Sequence, residues 1–509
     1  MAKRRVRVVG GRTVDRMARR GVGRVRQSLL VAVAIACVGG MVWLDRRPVK
    51  LDPGIVEVSG LVPQLRSSAL ASTWFCPGVV GNDESIGGSL VISNSAETPV
   101  GGTITRFFVD GASRTQRFAV PARATLEVNA LDGVASPFVS TLVESQGAPV
   151  AVEQRTAHRA GDALASCASS PAATWILADG FTGADSIENV VVTNPSLDSA
   201  ILDVAFVTAA GERTPQSLKG VVIPPESVRV FDMASLDARN EAIVAVTVRA
   251  SVGRVVVGRS QHYLGRGRLG YTMSLASSVV NDRWYFADGD KSPTVVEEFA
   301  IYNPMSFDQL LTFIVASDDG TAIDPVVVTA TAKRVTKFSP SGLSSLPEGR
   351  YSVIVAATSA AGEASGTSSA DATDRVGVVI ERIATRTQGK STATAVLLGS
   401  PRAAKAWIAP AGVAIGVGDS LRVFNPGALA ATFRVTYLGP AGDVPVTGFE
   451  EVSLAPGAST SVQLGAETAG AAVSVIANEP IVVHRRTSRG LKQPINGVAP
   501  LILVETDSR

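Results

Sequence analysis

The chain has 509 residues, enough for three to five domains that each bury a core of their own. Its 48 Gly and 27 Pro are ordinary in number, aromatics make up 5%, and the composition fits folded, turn-rich β structure while excluding disorder. The formal net charge of +3 hides a segregation: residues 1–50 carry thirteen Lys and Arg against Asp15 and Asp45, leaving 35 basic and 43 acidic residues beyond them. A mildly acidic outer part repels phosphate backbones, so nucleic acid is not an expected partner.

Residues 1–27 read as a basic cytoplasmic segment. Residues 28–44, SLLVAVAIACVGGMVWL, follow without a charge and end near Trp43, an interfacial aromatic. Ten basic residues precede this run, which by the positive-inside rule keeps the N-terminus cytoplasmic and sends the rest out. A cleaved signal peptide is the rival, but no small-x-small site closes the run and Asp45-Arg46-Arg47 follows directly. A lipoprotein reading through Cys37 lacks the usual leucine, and apolar residues continue past it. The expectation is therefore a single-pass membrane protein with an extracellular C-terminal region, partnered with the membrane through residues 28–44, and a stalk over 45–71. Of the three cysteines, Cys76 and Cys167 lie outside, where an oxidising compartment favours one disulfide; two buried free thiols are the alternative.

Beyond the stalk the chain repeats itself. Trp74 opens WFCPG, Trp175 WILADG, Trp284 WYFADG and Trp407 WIAPAG. About twenty residues later each passage reaches an Asn at a strand end: Asn94, Asn194, Asn303 and Asn425, with Pro following in the last three. An alternating strand comes next (ILDVAFV, LLTFIVA, ATFRVTYL), and each unit closes with a hairpin running to a basic residue: Arg155, Arg259, Arg382 and Arg485. In the third unit the hairpin turn is replaced by a small, polar run over 358–374, which reads as a flexible insertion at a hairpin tip.

Seven or so short strands per unit and no amphipathic helix predict an all-β fold: four tandem Ig-like β-sandwich units, over 72–172, 173–281, 282–404 and 405–509, after one N-terminal transmembrane helix. A propeller-like β-repeat is the alternative, although blades recur at about half this period. A further short segment after each hairpin reads as the unit's last strand. That places Cys167 on the closing strand of the first unit and Cys76 on its opening strand.

The combination of W-x-x-A-x-G, an Asn-Pro strand end, a VPP-type strand and a closing E/G-R strand resembles an uncharacterised repeat of exported, membrane-anchored actinobacterial proteins, the domain of unknown function 5719. The residues that carry it are Trp175, Asn194-Pro195, Val222-Ile223-Pro224-Pro225 and Arg259, then Trp284, Asn303-Pro304 and Glu381-Arg382. The first unit departs from it at Cys76-Pro77-Gly78 and at Ser95. The resemblance implies a fold and a location, and no activity.

Catalytic chemistry is sought without success. Gly418-Asp419-Ser420-Leu421 spells a GDSL hydrolase string, but the only downstream histidine, His484, has no Asp three residues before it, so Ser420 reads as a turn residue. His158, His262 and His484 sit at strand ends of separate units without a second ligand beside them, and read as partly exposed, with no metal expected. Asp179 and Asp288 in the ADG turns read as turn chemistry rather than calcium ligands. The repeated Trp residues read as core, the alternative being stacking platforms for sugars. The closing Arg residues have Glu153, Glu298 and Glu381 as nearby mates. No catalytic, cofactor-binding or metal residues are expected, and no cofactor. The functional expectation is a non-enzymatic cell-envelope structural or interaction protein, with an envelope protein or cell-wall glycan as partner. A carbohydrate-binding module array is the alternative, and a hydrolase using Ser420 the second.

Overall fold

Alternation with period two is written into the third strand of each repeat, and the structure honours it. In Gln309–Ser317, Leu311, Phe313 and Val315 are fully buried, whereas Leu310, Thr312 and Ile314 are not. The second strands are different. Phe299, Ala300, Ile301 and Tyr302 are all buried, as are Val190, Val191 and Val192, so these strands are covered on both faces.

The computed structural model of the chain describes residues 64–66, 69–81, 86–133, 136–359, 376–412, 418–488 and 497–505. The basic segment 1–27, the apolar run 28–44, most of the stalk and the insertion beyond Ser359 lie outside the described residues. Among the described residues no helix is long and apolar enough to cross a membrane.

The fold is all-β, and the third repeat shows its plan. Eight strands run Arg283–Lys291, Val295–Asn303, Gln309–Ser317, Val326–Ala330, Arg334–Phe338, Gly349–Ser359, Val379–Gln388 and Ser391–Leu398. They form two antiparallel sheets in the orders first-sixth-third-fourth and fifth-second-seventh-eighth. The same pairing recurs around Trp74, Trp175 and Trp407, giving four such sandwiches among the described residues. In the second and fourth repeats the fourth strand is split in two, and in the fourth the sixth and seventh strands form one continuous Val473–Ser488.

The sandwiches do not form a string. Their eighth strands, Ala163–Ser166, Arg268–Leu275, Ser391–Leu398 and Gly497–Pro500, touch one another in a cycle: first to second, second to third, third to fourth and fourth back to first. Three or four residues from each enclose an apolar cavity of about 40 Å³ between them. The closed arrangement shares a radial plan with a propeller, but each repeat brings two sheets rather than one. In the first three repeats the chain leaving the eighth strand bridges back to its own first strand, at Phe75–Ala168, Ile176–Ser277 and Tyr285–Ser400. In the fourth, Ile502–Glu505 takes that place beside Trp407 and Ile408, and Gln64–Arg66 pairs parallel to it. The end of the expected stalk is thus a strand, joining the first residues of the ring to its last. It forms because Ile502–Glu505 would otherwise present an unpaired edge.

Each repeat is held by the same two polar anchors. The four Trp residues are buried, and each indole Nε1 donates to the carbonyl at the start of its repeat's closing hairpin strand: Val150, Val255, Val378 and Ile481, at 2.7, 2.7, 2.9 and 3.0 Å. The four Asn residues are fully buried too. Asn194 Nδ2 donates to the carbonyls of Asp198, Ile223 and Pro224 while its Oδ1 accepts from Ser196 N; Asn94 and Asn425 make the equivalent four bonds. Asparagine alone offers a double donor and an acceptor on so short a stem, which is why it recurs there.

Cys76 and Cys167 form a disulfide, as the compartment argument expects, between the first strand of the first repeat and the segment after its eighth. It closes 91 residues of sequence. Reduction is expected to cost about 2–4 kcal/mol through the freedom regained by the unfolded chain, read as a lower denaturant midpoint with reductant present.

Candidate functional site: the buried junctions between repeats

Two consecutive positions on each seventh strand build the junctions. The strand register sets Gln154, Arg259, Arg382 and Arg485 opposite Leu90, Val190, Phe299 and Leu421, each four residues before the strand-ending Asn. The first repeat's counterpart of the closing arginines is therefore Gln154. Arg155 lies one residue on, where the pleat turns it to the other face, and its side chain keeps 18% exposure.

This second position binds its own repeat, at the residue four after the Trp. Arg259 donates to the Asp179 carbonyl through Nη1; Arg382 Nη2 meets the Asp288 carboxylate at 2.9 Å; Arg485 Nη2 donates to the Ala411 carbonyl at 2.7 Å. Gln154 accepts from Gly78 N at 3.0 Å and donates to Gly78 O at 2.8 Å. The preceding position, Gly258, Glu381, His484 or Glu153, reaches the neighbouring repeat close to the residue three or four after that repeat's Trp.

Each junction solves this contact with different chemistry. Between the first and second repeats it is steric: a Cβ on Gly258 would stand 2.3 Å from Pro77 Cβ, so only glycine fits. Between the second and third, Glu381 accepts from Ala178 N and Asp179 N at 2.9 and 2.7 Å and pairs with Arg259 at 2.9 Å. Between the third and fourth, His484 Nδ1 accepts from Ala287 N at 3.3 Å. Its other nitrogen, Nε2, must then carry the proton and donates to Ser400 Oγ, 3.0 Å away. Between the fourth and first, Glu153 pairs with Arg485 at 3.1 Å and with Arg155 at 2.7 Å, while Arg485 also holds Asp419 at 2.7 Å.

Several sequence expectations change here. Asp179 and Asp288 are fully buried ion-pair partners rather than simple turn residues: Asp179 faces Arg268 at 3.3 Å, and Asp288 faces Arg382 and Arg486. The closing arginines find carboxylates partly in other repeats, because the ring brings those repeats into contact. Glu298 pairs with Arg268 at 3.0 Å. Two of the histidines, expected apart, meet: the rings of His158 and His262 are 4.7 Å apart, and His158 stacks on Tyr271 at 4.6 Å. His158 and His484 are buried rather than partly exposed. Among the described residues no group of three or more His, Cys, Asp or Glu is placed to hold a metal ion.

Electrostatics follow from burial. Burial works against the charge of Arg259, but Glu381 and Asp179 more than offset it and hold the guanidinium protonated. Burial would raise Asp288, yet Arg486, Arg382 and Arg386 outweigh it and keep the carboxylate well below its usual range. His484 is pushed down to about 3 by burial and by Arg382, so it is neutral at physiological pH. A neutral His484 whose Nε2–H already donates to Ser400 cannot take a proton from that serine, so the pair is not a nucleophile and base.

Glu188, on the second strand of the second repeat, went unnoticed in the sequence. It is fully buried with neither carboxyl oxygen hydrogen-bonded, and burial lifts it well above the ordinary value. Asp179, Glu381 and Glu298 already balance Arg259, Arg268 and Lys337 in ion pairs. A raised folded-state value means the folded protein binds the proton more tightly than the unfolded chain. Its stability contribution is complete below about pH 4.3 and is lost as pH rises through the folded value. Glu188→Gln is expected to flatten this decline and to raise the melting temperature at pH 7.5, measured against wild type across pH 4–8.

The class of protein so defined is a closed, all-β ring of sandwich repeats locked by buried junctions. The chain belongs to the family of unknown function DUF5719, whose pattern matches residues 128–411 and 375–496. Curated proteins provide no match. Among solved structures, a crystal structure of a tetra-tandem repeat in the extending region of a large adhesion protein is 10% identical, with 87% of this chain and 99% of that one covered; its TM-score of 0.11 carries no argument.

Proposed function

We propose that this chain is a non-enzymatic structural or interaction protein of the cell envelope, presenting four Ig-like sandwich modules outside the membrane on an anchor at residues 28–44. The observation that carries the reading is the use of its ionisable groups: the pairs of the closing arginines, Arg259–Glu381, Arg382–Asp288 and Arg485–Asp419, are buried between and beneath repeats, where they fix geometry rather than meet substrate. The Cys76–Cys167 disulfide suits an oxidising exterior. The buried Trp residues favour this reading over a glycan-binding array, since none is free to stack on a sugar. Ser420 pairs across its strand with Arg486, and His484 is occupied elsewhere, which disfavours a hydrolase.

Chemical cross-linking in intact cells, followed by mass spectrometry of what residues 64–505 are joined to, tests the proposal. A discrete set of envelope proteins supports it. Capture of wall glycan alone would replace it with the carbohydrate-binding reading, and Ser420→Ala abolishing a hydrolytic activity would overturn both.

A further inference from the structure

The junction between the third and fourth repeats differs from the other ionic junctions in its charge balance. Among the described residues, the ion-pair partners of Arg350, Arg382, Arg386 and Arg486 are Asp288, Asp290 and Glu297 alone. Neighbouring carboxylates add no relief, because Asp318 is paired to Arg422, and Asp419 and Glu153 to Arg485. One positive charge is left over in a largely buried cluster that borders a cleft. Its hydrogen-bonding capacity is also unspent. Arg386 Nε and Nη1 and Arg486 Nε have no hydrogen-bond partner, although these side chains are only 7% and 2% exposed. Those three atoms are shut off from solvent, so what the neighbouring cleft meets is the surplus charge rather than these N–H groups.

Both arginines line a cleft of about 560 Å³ between the third and fourth repeats. Its remaining wall carries hydroxyls, Thr387, Ser420 and Ser461 among them, and sets Arg350 and Arg422 against the carboxylates of Asp290 and Asp419, which leaves the wall as a whole two charges positive. We infer that this cleft binds a ligand bearing an oxyanion, a phosphate or carboxylate group on a hydroxylated body. The anion sits against Arg386 and Arg486, and the serine and threonine hydroxyls take the rest. Guanidinium suits this role because its planar fork matches two oxygens of a phosphate or carboxylate. The volume exceeds what a bare anion fills and lies in the range of small-molecule sites. The site stands whether or not the ring is anchored in a membrane.

Calorimetric titration of the full-length chain with inorganic phosphate, glucose 6-phosphate and glucuronate, with glucose as neutral control, tests this. The expected result is saturable binding at one site by at least one anionic probe and none by glucose; comparing the two sugar acids tells phosphate from carboxylate. Arg386→Gln is expected to weaken binding at least tenfold. Should that variant fail to fold, Ser420→Phe, which fills the cleft without removing a charge, is expected to do the same, while Arg117→Gln on the exposed fourth strand of the first repeat leaves binding unchanged. Absence of saturable binding by all three anions, or binding indifferent to both cleft substitutions, overturns the inference.

Discussion

Glu381→Ala is expected to destabilise the ring by about 3–5 kcal/mol, the cost of stranding a buried partner charge. Glu381 is 1% exposed and Arg259 fully buried, so removing the carboxylate leaves a guanidinium with no route to water. It also orphans Ala178 N and Asp179 N, which both donate to Glu381. Glu381→Gln separates the two losses: the amide oxygen still accepts from the backbone, but Arg259 loses its ion-pair partner and keeps only the more distant charge of Asp179. Its cost is expected to fall between wild type and alanine. If the two variants are equally stable, the backbone hydrogen bonds contribute nothing measurable. If alanine costs less than about 1 kcal/mol, the site is open to water and the junction is not as described. Chemical denaturation of the three proteins decides.

Trp175→Ala is expected to cost about 3–5 kcal/mol, the range for deleting a large aromatic from a packed core. The indole fills the centre of the second sandwich and its Nε1 satisfies the Val255 carbonyl at 2.7 Å. Trp175→Phe keeps most of the apolar surface and leaves the Val255 carbonyl its second donor, Ala172 N at 2.9 Å, so only the loss of one hydrogen bond, about 0.5–1.5 kcal/mol, is expected. The equivalent substitutions at Trp74, Trp284 and Trp407 should lower the same cooperative transition, because each sandwich shares buried junctions with its neighbours. Four independent transitions, one moved by each variant, would argue for repeats that unfold alone.

Features fixed within one repeat were legible in the sequence. The Trp, the strand-ending Asn and the closing hairpin recur, and their physics is local: a core aromatic, an amide that satisfies four backbone groups, a two-strand turn. The disulfide followed from having two cysteines beyond the apolar run. What escaped was everything that depends on one repeat meeting another. Asp179 and Glu381 are 202 residues apart in sequence, and nothing local advertises the contact. The mistaken equivalence of Arg155 with Arg259 turns on a single-residue register shift, which motif spacing cannot detect but which reverses the face a side chain occupies. One signal was present and unread. The runs VVVTN and FAIYN are apolar without alternation, as expected of strands covered on both sides. Isolated sandwiches on a string would have shown polar residues at every second position.

Ring closure is the claim on which the set of four junctions and the proposed structural role depend, and one distance tests it. Arg123 bridges Glu97 of the first repeat and Asp443 of the fourth, at 2.8 and 2.6 Å, and both carboxylates are largely exposed. Spin labels at Glu97→Cys and Asp443→Cys, with Cys37 replaced and the native disulfide intact, permit a double electron–electron resonance measurement. The ring predicts one narrow, short distance, set by two side chains that touch the same arginine. A string of four sandwiches, each roughly 35 Å across for ~100 residues, would separate the labels by about 100 Å, and that result would contradict the closed ring.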